Sequence, residues 1–541
     1  MKKMNKNILG LVAIAASVFS MTSCVEETFP TDIATDEIVA ASAAATEGLA
    51  NGMPAYLVDV WTTDNHMFFG YPAEMIIRDA CTGDKHYFGE TGYSRWNNWY
   101  RNQYMGDGYL TTQFHWNYYY GFLGSVNGVI RAIDEETASE GPLAYLGTAF
   151  AYRALIYLDL ARMFEFLPNE KFPDGKNKEG KVVTNLTVPI VRHDITEEDS
   201  KHNPRVTRDS MFNFILEDLE KAEKYVVNLP NNADGALPDL SCVYGLKARL
   251  YMWVEDYENA KKYARLAIDN AVVKPMTEQE GLSVSNGFNT ASDFMWAALQ
   301  TDQTYAVQTG IINWTSWVSN QSTFGYTGAG TKLYCGIDRR MYERISDTDW
   351  RKKMWVAPEG SPLYGKSTYP TSPDYDFKAK LPAYASLKFR PGSGNADENT
   401  IGASTAIPVM RVEEMYFIEA EAAEHVSAGS GIQLLETFMK TYRDPNYKYS
   451  GSDAIDEIVF QKRVELWGEG QTFFDIKRLD MSVTKGYPGT NWQDPLQRIN
   501  TNGRPAWMNF VIVKTEQASN EALVGWNNPD PSDTYDVWTE E

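Results

Sequence analysis

The stretch SCVYGLKARLYMWVEDYENAKKYARLAIDN, residues 241–270, decides the fold class. It reads as a helix, a turn at Glu255-Asp256 and a second helix. Gly245 and Ala248 sit in the first helix, and Tyr257, Ala260, Ala264 and Ala267 in the second. Small residues at these places predict two helices that approach each other closely. One hairpin cannot bury its faces alone, so neighbouring helix pairs are expected to stack on it, as in a tetratricopeptide array.

Outward from this hairpin the same periodicity continues. Residues 115–134 carry it through Phe122, Val126, Val129, Ile130 and Ile133. Residues 142–164 predict a long helix with Pro142 in its first turn, and 209–227 another through Met211, Phe214, Ile215, Leu219 and Ala222. Helical spacing returns over 409–427, 431–443 and 454–468. Between lie residues dense in Gly, Ser, Thr, Asn and Pro, with breakers at Pro370, Pro373, Pro382 and Pro391. The tail holds a strand-like run at Phe510–Val513. The expected class is mainly α, with loop-rich insertions and few short strands. The expected organisation is a signal peptide at 1–23, a lipidated tether at 24–40, an N-terminal helical region at 41–280 and a C-terminal region at 281–541. The last divides into a loop-rich insert (281–405), helices (406–480) and an irregular tail.

The 541 residues are 43% hydrophobic and 23% charged, an ordinary globular balance. A formal charge of −22 speaks against nucleic acid and anionic membrane surfaces as partners, since both need a basic patch. Lys2, Lys3 and Lys6 precede a short apolar run from Ile8 to Phe19, the pattern of an export signal. Met21-Thr22-Ser23-Cys24 resembles a bacterial lipoprotein cleavage site, with Met21 where Leu is usual. Lipidation of Cys24 and anchoring to the membrane are therefore expected. Val25-Glu26-Glu27 resembles the surface-export tag of Bacteroides-type lipoproteins, and reads equally as a solvated tether. Cys81, Cys242 and Cys335 form no CxxC pair, and the six histidines form no HExxH. No cofactor and no metal site are expected.

From Cys24 towards the C-terminus the residues then resemble, in order, the SusD/RagB family of outer-membrane nutrient-binding lipoproteins. Trp116, Tyr120 and Asn127 match its early helix, and Arg153, Tyr157 and Leu160 the next. Thr207-Arg208 followed by Ile215, Asp218, Leu219 and Ala222 matches its "TR…DL..A" helix, and Asp338-Arg339-Arg340 its mid-chain element. Pro408, Arg411, Glu414, Ala420, Glu421 and Ala422 match "P..R..E…..AEA". Arg463, Glu465, Leu466, Glu469, Gly470, Asp475 and Arg478 match "R.EL..EG….D..R". Two positions depart: Thr472 stands where Arg is common, and Lys462 where Glu is. The resemblance implies a lipoprotein outside the outer membrane that captures a glycan, or sometimes a peptide, and hands it to a SusC-like TonB-dependent transporter, without chemistry.

The carboxylates of these motifs read as structure. Glu465 and Glu469 share one helix face among arginines, which predicts ion pairs. A glycosidase needs two carboxylates facing each other across a sugar. No GxSxG, Walker A or GxGxxG sequence offers other chemistry, and a surface glycoside hydrolase stands as the lesser alternative.

Ligand binding is expected in aromatic-rich loops. Residues 87–120 hold 13 aromatics in 34 positions against 13% for the chain. Within them Trp96, Trp99 and Tyr100 surround Asn97 and Asn98. Rings offer faces to sugar C–H groups, and amides bond the hydroxyls. Trp116 and Tyr118–Tyr120 are periodic and expected in the core. Trp314, Trp317 and Tyr326, among Asn313, Ser316, Asn320 and Gln321, form a second cluster. The resemblance implies an aromatic arc from an early and a mid-chain loop, with Arg78 and Asp79 as further ligand contacts.

Overall fold

The computed structural model describes residues 43–61, 66–89, 96–229, 235–285, 287–328 and 331–540. The signal peptide, Cys24 and the tether lie outside the described residues.

Ten of the helices among the described residues position the candidate sites. They are α1 (Tyr71–Ala80), α2 (Leu110–Ala132), α3 (Glu140–Phe164), α4 (Arg208–Tyr225), α5 (Leu240–Trp253), α6 (Tyr257–Asn270), α7 (Val412–Val426), α8 (Ser430–Tyr442), α9 (Ala454–Glu465) and α10 (Thr472–Arg478). The diagnostic hairpin is α5–α6. Glu255 turns the chain with a left-handed φ of 62°. Its N–H reaches Met252 O, and Asp256 N–H reaches Tyr251 O, which closes α5. Asp256 then caps α6 by accepting from Asn259 N. Thr207 and Asp239 cap α4 and α5 in the same way.

Helix pairs do stack: α4 lies on α3 and α5, and α6 lies on α7, which packs on α8. The role expected of Gly245 changes. A Cβ there would fall 2.3 Å from Met410 Sδ and 3.2 Å from Met415 Sδ. Gly245 thus admits the strand and helix beyond the hairpin, while Ala260, Ala264 and Ala267 supply the buried face of α6.

The loop-rich insert is stitched to the helices by two small antiparallel sheets. Strand β1 (Lys85–Gly89) pairs with β3 (Leu333–Ile337), with Lys85 opposite Ile337. Strand β2 (Trp296–Leu299) pairs with β4 (Ala406–Met410), with an irregularity at Trp296/Ala297. Phe510–Val513, expected as a strand, joins no sheet. Its four side chains are buried, and its backbone bonds go elsewhere: Phe510 N–H to Met163 O and Ile512 N–H to Asn527 Oδ1.

Buried ion pairs bind these layers. Arg153 on α3 holds Asp218 on α4 through two bonds of 2.8 and 2.7 Å and reaches Asn127 on α2. Arg249 on α5 holds Glu414 on α7, and Arg478 on α10 holds Glu421 on α7. Among the described residues no helix is long and apolar enough to cross a membrane.

Candidate functional site

The two aromatic clusters expected to bind ligand meet in space. Trp96 precedes a short helix at Asn97–Tyr100, and Trp317 lies on another at Trp314–Val318. The Trp96 ring meets Trp317 edge-on at 5.5 Å between centroids. Trp317 lies flat on Tyr326 at 4.2 Å. Its Nε1 donates to His66 O at 2.8 Å, and His66 is hydrogen-bonded to Tyr326 Oη.

This arc is interior, which corrects the expectation of exposed sugar platforms. Trp96, Tyr100, Trp314 and Trp317 are 0% exposed, Trp99 is 4% and Tyr326 8%. Around Trp314 and Trp317 the polar neighbours Asn313, Ser316 and Asn320 are themselves buried and serve the backbone. Asn313 caps the short helix by accepting from Ser316 N. Asn320 donates to Cys335 O and Ser386 O and accepts from Cys335 N. Amides can finish backbone hydrogen bonds inside a protein as well as bind sugars outside it.

The remaining expected contacts, Arg78, Asp79 and Asn97, each make bonds within the fold. Arg78 forms a 2.9 Å pair with Asp159, donates to Tyr119 Oη, and lies over the Tyr71 and Phe474 rings. Asp79 accepts from Gly470 N at 3.1 Å and faces Lys85 Nζ at 3.4 Å. Burial pushes its carboxyl up to about 6. Asn97 is half-buried and accepts from Gln497 Nε2.

Above Trp99 the same loop does present rings to solvent. Tyr104 is 49% exposed and Tyr109 42%, and they meet edge-on at 5.1 Å. They line a shallow cavity of about 320 Å³ with Phe68, Asn98, Trp99 and Thr111. Tyr104 has a left-handed φ of 58°, uncommon for a bulky residue and held by its surroundings. Gln103 N–H reaches Asn98 O, Met105 N–H reaches Ser532 Oγ, and Asp533 N–H reaches Asn102 O. The loop is therefore pinned between its own short helix and the C-terminal tail. Tyr104 and Tyr109 fall in the aromatic-rich window 87–120. Their polar, glycine-rich setting (Gln103, Gly106, Asp107, Gly108) was the signal available to single them out.

The motif carboxylates are ion-paired. Glu465 receives Arg411, Arg443 and Arg351 at 2.7, 2.7 and 3.1 Å. Glu469 receives Lys388 and Arg411 at 2.6 and 2.9 Å. Burial would raise the Glu465 carboxyl, but Arg443, Arg411 and Arg351 pull it well below its ordinary value. Glu465 and Glu469 are 4% and 3% exposed, so both are spent on the core. Cys81, Cys242 and Cys335 are free and buried, and burial pushes the Cys335 thiol up to about 12. Among the described residues no group of three His, Cys, Asp or Glu is placed to hold a metal ion.

Residues 259–523 match the model of the SusD family, and residues 79–252 match a model described as starch-binding associating with outer membrane. A SusD-like protein of Formosa agariphila is 21% identical over 418 residues, covering 69% of this chain and 73% of that one. A SusD-like carbohydrate binding protein from Bacteroides vulgatus shares the fold with a TM-score of 0.67 at 22% identity, covering 89% of this chain and 97% of the other. Surface glycan-binding protein A from Bacteroides thetaiotaomicron, solved in complex with laminarihexaose, has a TM-score of 0.59 at 15% identity, with 90% and 99% covered. Two family models in tandem, motifs in order and a mainly helical fold with these neighbours give one answer: the chain belongs to the SusD/RagB family.

Proposed function

We propose that this protein captures a glycan at the cell surface and delivers it to a SusC-like TonB-dependent transporter, anchored in the outer membrane through lipid on Cys24. It performs no chemistry on its ligand. The observation that carries this reading is the Tyr104–Tyr109 shelf: two half-exposed rings over Asn98 and Trp99, on a pinned loop. Aromatic faces and a nearby amide suit a sugar, which offers C–H faces and hydroxyls together. The shelf replaces the buried arc of Trp96, Trp314, Trp317 and Tyr326 as the proposed contact surface. Trp99 stays as its floor, and Asn98 takes the polar role first given to Asn97.

The test is calorimetry on protein lacking residues 1–24 against a panel of oligosaccharides that includes laminarihexaose. Binding that weakens in Tyr104→Ala and Tyr109→Ala supports the reading. Binding that both variants retain in full moves the glycan site elsewhere. The absence of binding to every glycan, with binding to peptides, replaces a glycan with a peptide ligand.

A further inference from the structure

A second cavity of about 260 Å³ lies where the C-terminal end of α3 meets α5, α7 and α10, and it shares no lining residue with the aromatic shelf. Seven cationic side chains and four acidic ones line it, in a chain whose formal charge is −22. Most of these charges are matched. Arg249 holds Glu414, Arg208 holds Glu165 at 2.5 Å, and Arg162 holds Asp159 at 2.7 Å. Lys462 and Arg478 share Asp475, and Arg478 also holds Glu421. Glu255, at the surface, is bonded to Tyr257 Oη.

Two cations are served mainly by carbonyls. Lys477 Nζ donates to Arg162 O, Met163 O and Glu165 O at 2.7–2.9 Å, closing the end of α3. Arg504 donates to Lys477 O and Pro168 O, and pairs with the exposed Asp480 at 3.6 Å. Burial lowers Lys477, Arg162 and Arg504, whereas Glu414 and Glu421 outweigh the burial of Arg249 and Arg478 and raise those two.

Two donors in the wall have no partner among the described residues: Arg249 Nη1 and Gln471 Nε2. Arg249 and Gln471 are 2% and 5% exposed, so bulk water does not satisfy these atoms. An orphaned buried donor is costly and is rare in a native fold. Both need an acceptor. Phe474, Ile418 and Trp253 add an apolar wall. A volume of about 260 Å³ has room for a ligand of one sugar ring.

We propose that this cavity is a ligand site for a carboxylate-bearing molecule of monosaccharide size, such as a uronic acid, seated by Arg249, Gln471 and Arg504.

The experiment measures thermal stabilisation and calorimetric binding of protein lacking residues 1–24 with glucuronate, glucose and inorganic sulfate. Glucuronate is expected to bind and to weaken with added salt, while glucose, its neutral counterpart, does not bind. Gln471→Leu removes the unpartnered buried Nε2, so the empty protein keeps its stability, but glucuronate affinity falls about tenfold. Arg504→Gln, in the partly exposed part of the lining, lowers affinity similarly. Tyr104→Ala leaves glucuronate binding intact, which separates this site from the aromatic shelf. No glucuronate binding, equal binding of glucose, sulfate binding as tightly as glucuronate, or affinity unchanged in both cavity variants overturns the proposal.

Discussion

The ring of Tyr104 meets that of Tyr109 edge-on at 5.1 Å while about half of each stays in solvent. Burying such rings under a ligand is favourable, and nothing in the core depends on them. Tyr104→Ala is therefore expected to lower glycan affinity about tenfold, near 1.4 kcal/mol, with stability changed by less than about 0.5 kcal/mol. Calorimetry and urea unfolding on the same sample read the two effects. A large loss of stability would show that the shelf is part of the core.

Trp317→Ala is expected to behave in the opposite way. The ring is 0% exposed, stacked on Tyr326 and bonded to His66 O. Its removal leaves a cavity and costs about 3–5 kcal/mol. The urea midpoint should drop sharply, while the protein that remains folded keeps its ligand affinity. An unchanged midpoint would place the ring outside the core.

The contrast between these two residues marks what was legible in the sequence. The helices were: periodicity places α3, α5 and α6 within a residue or two of where they lie. The family motifs were too, and the structure gives them a physical meaning. Arg153 and Asp218, or Arg411 with Glu465 and Glu469, are opposite charges far apart in the chain that neutralise one another inside it, and Asn127 accepts a further bond from Arg153. Exposure of the aromatic loops was not legible. Local composition around Trp314 and Trp317 is that of a wet loop, and only the fold brings Cys335 and Ser386 up to Asn320. Long-range pairing of this kind has no signature within a few residues of sequence. The Phe510–Val513 run misled for the same reason, since its bonding partners are Met163 and Asn527.

Two carboxylates act on stability in opposite directions with pH. Glu465 lies well below its ordinary 4.5 in the folded protein, because Arg443, Arg411 and Arg351 outweigh its burial. Its contribution is full above pH 4.5 and is lost as pH falls through the lower folded value. Glu465→Gln leaves three arginines facing an uncharged amide and should destabilise by about 3–5 kcal/mol at neutral pH. The gap to the parent protein should narrow in acid. A gap independent of pH would show that the carboxylate is not the stabilising species.

Asp79 runs the other way. Burial raises it from 3.8 to about 6, so the folded state holds its proton while the unfolded state has released it. Stability therefore falls as pH rises from about 4 to 6. Asp79→Asn should flatten that part of the urea-midpoint profile. A slope unchanged in the variant would assign the dependence to another group.

Gly470, in the motif that ends in Asp475 and Arg478, offers a test of backbone packing. Its φ is +68°, and a Cβ would fall 2.6 Å from Met75 Cα and 2.9 Å from Met75 O. Those are main-chain atoms of α1, which cannot swing aside as a side-chain tip would. Gly470 N–H also fixes Asp79. Gly470→Ala thus meets left-handed strain and a clash together. Gly360 has a similar φ of +80° with nothing within 4 Å, so Gly360→Ala meets the strain alone. The strain costs about 1–2 kcal/mol, and overpacking adds about 1–3 kcal/mol or more. Gly470→Ala should therefore be the more destabilising of the two by at least about 1 kcal/mol in urea unfolding. Equal losses would mean that α1 can withdraw from the turn, and that the glycine is required there for its dihedral angle alone.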